Sequence, residues 1–460
     1  MGVFKKNIFA DHHLWLLIAA FMAMACKNDV SPVYTILKGK LPTGKVEVQI
    51  NYGKDWEILP LSADGTFIDT LEIQHPQYVY LRYADFDTRL YFTQGATVIV
   101  SSDSEVSFSG RHADINTYLY EEFNDNLALE ESEFNNHQKI FSKNETDYIL
   151  YRDSIRDDRL TRLKAVNVDD PEFQEFHRKD IDFQHQYNIA RYPNYHSYYY
   201  QDYKATELIS DYLNDVTVDN ENFALNYAGF RSLVDLVLDK KIENNKDENL
   251  NPLMANLQVL EGIQSPTILH NRLQNALFYF TVNEENMEEV RDKMLKLAKQ
   301  ERTKKLINKH YEVISKLRPG STAPYFKFEN YDGGHTELTD FRGKYVYIDV
   351  WATWCTPCIR EIPYFKEIEK EFSNANIEFV SVSVDEGRFY DSWRKMIDNK
   401  NLSGYQLIAD DGWNSEFVRN YGIQGIPRFI LLDKEGNIVS ADAEKPSDPK
   451  LKERLLTLEL

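Results

Sequence analysis

Two cysteines with two residues between them, in Trp354-Cys355-Thr356-Pro357-Cys358, are the most reactive pairing in this sequence. Sulfurs at that spacing can close a small disulfide. The run Tyr345-Val346-Tyr347-Ile348-Asp349-Val350-Trp351 before them reads as a buried strand, and Ile359 to Phe372 after them reads as a helix. Cys355 therefore falls at a strand-to-helix junction, where unpaired backbone N–H groups and the helix dipole stabilise a thiolate. A thiolate is the species that attacks a disulfide. The chemistry expected is thiol–disulfide exchange, begun by Cys355.

Zinc is the other reading of Cys-x-x-Cys, but a structural zinc takes four ligands. The chain has three cysteines, Cys26, Cys355 and Cys358, and neither a second Cys-x-x-Cys nor a His pair at finger spacing. His177, His185 and Asp182 stand at spacings that do not share one helical face. No metal and no cofactor is expected.

Cys26 has a separate explanation. Lys5 and Lys6 make a basic start, and Leu14 to Ala25 is an uncharged apolar run of twelve residues. That is short for a bilayer span and has the shape of a signal-peptide core. It ends Ala23-Met24-Ala25-Cys26, which resembles the bacterial lipoprotein box and implies cleavage after Ala25 with lipidation of Cys26. An ordinary signal peptide cut at the same place, or an uncleaved anchor, are the competing readings. All three export the chain, so the dithiol is expected to work in an oxidising compartment, in the cell envelope as a periplasmic or outer-membrane-attached lipoprotein.

The elements around these residues divide the chain. Residues 1–25 read as signal peptide and 26–34 as a tether. The remainder is too long for one core, so two or three domains are expected. A net charge of −20 argues against nucleic acid as a partner. Residues 35–110 show β patterning: Val46 to Ile50 alternates with period two, and Asp64-Gly65 between Ile58-Leu59 and Phe67-Ile68 is a hairpin signal. A small antiparallel β domain, sandwich or barrel-like, is expected. Residues 111–318 turn helical. Met287, Val290, Met294 and Leu297 make one helical stripe, and Tyr118, Phe123 and Leu127 a weaker one. The tyrosine-rich stretch Tyr187 to Tyr203 is expected to serve mainly helix packing.

Residues 319–460 read as an α/β unit. Phe326 to Phe328 and Glu337-Leu338 flank a turn at Asp332-Gly333-Gly334. The strand into Cys355 comes next, then the Cys-x-x-Cys helix and a second apolar strand, Ile377 to Val384. Tyr390–Asn399 reads as a helix, Arg428–Leu432 and Ile438–Ser440 as a strand pair, and Lys450–Leu458 as a closing helix. The first two strands, joined by a helix, imply a parallel crossover, and the last pair an antiparallel hairpin.

This stretch resembles the thioredoxin superfamily, specifically its TlpA/ResA-like branch. The residues that carry the resemblance are Asp349 to Cys358, Arg360-Glu361-Ile362-Pro363, Gly425-Ile426-Pro427 and the entrance Gly320 to Pro324. The resemblance implies a thioredoxin fold over 319–460 and a role for each residue. Cys355 is the exposed nucleophile, and Cys358 the resolving thiol that releases the reduced partner. Asp349 is the buried acid beneath the dithiol, with a raised pKa, able to take the proton from Cys358. Glu361 is a further acid near the dithiol. Trp354 shields the sulfur pair. Pro427 is a cis-proline, and Ile426 beside it offers its backbone to an extended substrate chain. Arg428 either favours acidic substrates or lies against the sheet edge.

Thr356-Pro357 carries no charge, and no His lies between the cysteines. A reducing protein is expected, nearer thioredoxin at about −270 mV than DsbA at about −120 mV. The expected function is therefore an exported, lipid-anchored thiol–disulfide oxidoreductase that reduces client-protein disulfides. It would be recharged by a membrane electron donor and attached to the membrane through its N-terminal lipid. Two alternatives stand beside it. One is an envelope binding or assembly lipoprotein whose dithiol senses redox state. The other is a thiol peroxidase, against which Ala352 stands where that chemistry needs Thr three residues before the cysteine.

Overall fold

The computed structural model describes residues 34–459 apart from 43–46, 53–55, 84–85, 103–104, 169, 215, 245–250 and 285. The expected signal peptide 1–25, Cys26 and the tether up to residue 33 lie outside the described residues. The chain divides into two compact units: Met1–Asp215 with Leu225–Leu233, and Val216–Ala224 with Val234–Leu460.

The first unit opens with eight strands: β1 (Thr35–Lys40), β2 (Val48–Asn51), β3 (Glu57–Leu59), β4 (Thr66–Leu71), β5 (Gln77–Tyr83), β6 (Phe86–Phe92), β7 (Thr97–Ser102) and β8 (Val106–Gly110). They form two four-stranded sheets, ordered β4-β1-β7-β8 and β3-β2-β5-β6. Period-two alternation places Val48 and Ile50 of β2, and Val98 and Val100 of β7, in one buried apolar core with Leu37, Leu81 and Leu90. The antiparallel expectation holds for every pair but one, since β1 runs parallel to β7. The expected hairpin at Asp64-Gly65 is a correction. The turn exists, with Gly65 at φ 82°, but it crosses between sheets: β3 pairs with β2 and β4 with β1. In β4 Phe67 and Leu71 are the buried positions, and pairing with β1 is what delivers them to the core.

Helices follow, among them Ala113–Asn135, Glu145–Ala165 and Pro171–Ala190. Ile115, Tyr118 and Leu119 of the first pack with Tyr78 and Tyr91 of the sheet and with Phe173 and Ile181. The expected stripe ends early, since Leu127 is exposed. The tyrosine-rich stretch splits: Tyr192 is fully buried, whereas Tyr198 and Tyr200 face solvent.

The second unit contains the helices Pro266–Leu277, Met287–Leu297 and Glu301–Ile314 and then the α/β sheet. Met287, Val290, Met294 and Leu297 are all buried on one helix face, as their spacing predicts. The sheet comprises β9 (Lys327–Asn330), β10 (His335–Glu337), β11 (Tyr345–Trp351), β12 (Ile377–Ser383), β13 (Tyr405–Ile408), β14 (Arg428–Leu432) and β15 (Ile438–Ser440), in the order β10-β9-β13-β12-β11-β14-β15. β11 sits inside it, parallel to β12 and antiparallel to β14. The β11–β12 pair is the expected crossover, and the expected closing hairpin is β14 with β15, which pair antiparallel. β13 was not legible as a strand: Tyr405-Gln406-Leu407-Ile408 is short and carries a Gln, and it is stabilised by parallel pairing with β12.

Candidate active site

β11 is buried on both faces, which is why it reads as a continuous apolar run. Val346, Ile348 and Val350 enter one core cluster, while Tyr347 enters another with Phe365 and Phe429. Because β11 and β12 are parallel, with Trp351 opposite Ser383, their carboxyl ends lie side by side. In open α/β sheets such carboxyl ends are where ligands are handled. The turn to Cys355 starts at one of them and Asp385 follows the other.

The helix Thr356–Glu371 begins at that turn with Cys355 as its N-cap, and it continues through Pro363. Cys355 and Cys358 are joined, with Cα atoms 5.3 Å apart. Pro357 has no N–H to offer, so the first turn directs that of Cys358: it donates to Cys355 Sγ at 3.2 Å. This donor, with the helix dipole, favours negative charge on Cys355 once the disulfide opens. Cys355 is 4 % exposed and Cys358 2 % exposed. The expectation of an openly exposed nucleophile is thus corrected. In the disulfide form both sulfurs belong to the core cluster of Val350, Trp351 and Ala352, while Trp354, at 54 %, and Thr356 and Pro357 between the cysteines are exposed.

Asp349 projects from β11 on the same side as Tyr347 and Trp351. It lines a small cavity beneath the Cys355 helix with Ile362, Phe365, Ser381 and Gln406. Burial, and then the charge of Glu361, push its pKa up to about 8. Its Oδ1 has no hydrogen-bond partner, and neither does Gln406 Oε1 in the same cavity. Two acceptors facing one closed space favour the protonated acid, in the same direction as burial. Glu361 is buried as well, but it is bound on its far side. Its carboxylate accepts from the Ser447 N–H at 2.9 Å and the Ser447 hydroxyl at 2.8 Å, and Lys445 stands 3.7 Å away. It acts on Asp349 through its charge.

The Ile426–Pro427 bond is cis, and Ile426 packs on the cluster that contains both cysteines. Arg428 is paired with Asp442 at 2.6 Å and is mostly buried, on a strand that lies inside the sheet between β11 and β15. Of the other candidates, His177 meets Tyr78 and Glu122, His185 meets Asp153, and Asp182 meets Arg178. They are not brought together.

One site residue was missed in the sequence. Asp385, 1 % exposed, accepts from the Thr353 N–H at 2.9 Å, the Thr353 hydroxyl at 2.8 Å and the Ser383 hydroxyl at 2.8 Å. It ties the loop before Cys355 to the end of β12. The signal available was an acid directly after an apolar strand, at the sheet's carboxyl edge.

A family model described as Redoxin matches residues 318–455. Among curated proteins, the chain is similar to the thiol-disulfide oxidoreductase ResA of Bacillus thuringiensis subsp. konkukian, at 30 % identity over 140 residues, 30 % of this chain and 78 % of that protein. It is also similar to the ResA of Geobacillus thermodenitrificans, at 33 % identity, covering 26 % of this chain and 66 % of that one. Among solved structures, the thioredoxin domain of a thiol-disulfide oxidoreductase from Bacteroides vulgatus is 28 % identical, covers 31 % of this chain and 99 % of its own, and has a TM-score of 0.29. A thiol-disulfide oxidoreductase from Bacteroides fragilis is 30 % identical, with coverages of 29 % and 99 % and a TM-score of 0.27.

Proposed function

The chain belongs to the ResA-like thiol–disulfide oxidoreductases, and from that premise we propose that it is an exported, lipid-anchored reductant of protein disulfides. The observation that carries the reading is the Cys358 N–H directed at Cys355 Sγ from the first turn of a helix, above a buried acid. In the reduced protein, the Cys355 thiolate attacks one sulfur of a client disulfide. A mixed disulfide forms and one client thiolate leaves. Cys358 then attacks Cys355 Sγ, releases the second client thiolate and closes Cys355–Cys358. One client disulfide becomes two thiols, and two electrons pass from the dithiol.

Cys358 must lose a proton to do this. Asp349, with a pKa of about 8, is matched to an ordinary thiol, so proton transfer between them is nearly balanced. Trp354 covers the sulfur pair, and the backbone at Ile426, before the cis-Pro427, pairs with the client chain. A membrane donor returns electrons to the dithiol. Cys26 carries the lipid, which places the protein in the cell envelope as a periplasmic or outer-membrane-attached lipoprotein.

The test is the reduction potential of Cys355–Cys358, by equilibration against dithiothreitol. A value below about −220 mV supports a reductant, and one above about −180 mV makes the protein an oxidant or isomerase instead. In cells, Cys26→Ser should move the protein from the membrane to the soluble fraction. Retention on membranes would count against lipidation.

A further inference from the structure

The loop that precedes Pro427 has an aromatic neighbour that thiol chemistry does not require. Phe278 follows the helix Pro266–Leu277 and is 45 % exposed. The edge of its ring rests on the backbone of Gly425. A Cβ there would stand 2.0 Å from Phe278 Cε2 and 2.8 Å from Cδ2, so the ring can occupy this place only while residue 425 is glycine. Tyr279, 62 % exposed, meets Phe278 edge to face, with centroids 5.1 Å apart at 77°.

The segment behind this pair is fastened on both sides of the cis-proline. Phe280 is fully buried, and its carbonyl oxygen is bound by His310 Nε2 at 2.7 Å. The other nitrogen of His310 is 3.4 Å from Gln424 Nε2, just before Gly425. The Asn283 amide donates to the Asp442 carbonyl at 2.9 Å, and the Asp442 carboxylate pairs with Arg428, just after Pro427. Two large rings are thus held out towards solvent by a braced support. Their position is fixed relative to Gly425-Ile426-Pro427.

We propose that Phe278, backed by Tyr279, is a specificity-determining residue. It forms an aromatic shelf beside the cis-proline loop that selects polypeptide disulfides with an apolar or aromatic side chain next to the cysteine. The inference rests on the reading of this loop as the edge that pairs with client backbone. A chain in extended conformation sends alternate side chains to opposite sides, so residues near its cysteine must meet whatever flanks the loop. Here that is an aromatic face, which gains from apolar and especially aromatic contact.

The experiment uses the full chain, reduced beforehand, in single-turnover reduction of two disulfide-closed peptides. The peptides differ only in having Phe or Gly beside the cysteine. The native protein should reduce the Phe peptide about fivefold faster. Phe278→Ala should bring the ratio to about one, and Phe278→Leu, which keeps an apolar side chain and guards against a folding defect, should give an intermediate ratio. Equal rates in the native protein, or an unchanged ratio in Phe278→Ala, would overturn the shelf alone. Failure of the native protein to reduce either peptide would overturn the oxidoreductase reading of the site and the shelf with it.

Discussion

Each compact unit buries an acid, and the two acids are treated in opposite ways. In the first unit, Glu122 is 1 % exposed between Arg89 at 2.9 Å and Arg159 at 3.0 Å, with the His177 ring at 3.0 Å. Burial alone would raise its pKa, but His177, Arg159 and Arg89 hold it well below the usual carboxylate range. Arg89 also binds Asp180 at 2.5 Å, so a strand of the β region is joined to three helices by one ionic network. In the second unit, Asp349 has no cation beside it. Burial, with Glu361 adding like charge, pushes its pKa up to about 8. A buried acid surrounded by partners holds elements together. A buried acid left without one can exchange a proton near neutral pH.

The largest effect should come from removing the chemistry itself. Cys355→Ser should abolish insulin-disulfide reduction, a loss of roughly a thousandfold or more, with the unfolding of the protein little changed. Cys358→Ser should instead accumulate a mixed disulfide with client, visible on non-reducing gels. If Cys355→Ser retained activity, the second unit would lose its distinction from the first.

Glu122→Ala should have its effect on stability. It leaves Arg89 and Arg159 buried with less compensation, at a cost of about 3–5 kcal/mol in denaturant unfolding. The reduction potential of the dithiol should not move. A shift in that potential would mean that the ionic network also serves the redox site.

Asp349→Asn should slow client reduction by about ten- to a hundredfold and remove the corresponding limb of the pH–rate profile near pH 8. Its stability effect has a definite sign. A folded pKa raised above the ordinary 3.8 means that the native state binds more protons, so wild-type stability falls as pH rises from about 4 to 8. Asn cannot ionise. The variant should therefore gain on wild type steadily as pH rises from about 4 to 8, and hold no advantage below about pH 4. Parallel stability curves for the two proteins would show that Asp349 is not the group that titrates.

The smallest change is expected at Asp385. Asp385→Ala strips the Thr353 N–H and hydroxyl of their acceptor and should cost about 1–3 kcal/mol of stability. Client reduction should slow several-fold because the turn into Cys355 loosens, while the Glu122 network is untouched. An unaltered rate would mean that the turn is held by other contacts, such as the Cys355 N–H to the Ala352 carbonyl at 3.0 Å.

Local signals made most of the second unit legible. β11 is apolar throughout because both its faces are covered, and its helix is announced by the junction at Cys355. The stripe Met287 to Leu297 was read correctly because one face of one helix is buried. Asp64-Gly65 was misread because a turn signal specifies a reversal of the chain and not the sheet that the next strand joins. β13 escaped notice because its stability comes from pairing with β12. Leu127 broke its stripe because the helix extends past the surface that buries Ile115 and Leu119.

Residue types and spacings by themselves determined that this chain carries a redox dithiol, which sulfur heads the helix, and that the last third is an α/β unit; the thioredoxin fold and the cis-proline were implied by the resemblance of its motifs. The first three follow from nearest-neighbour chemistry: cysteine spacing and strand and helix patterning. Only the tertiary structure decided that Glu361 faces Ser447, that Asp385 holds Thr353 and that Arg428 is taken by Asp442. It also decided that Phe278 rests on Gly425, across nearly 150 residues of chain. Partnerships at that separation depend on how whole elements pack, and the free energy that selects them is shared over the core rather than written at either residue.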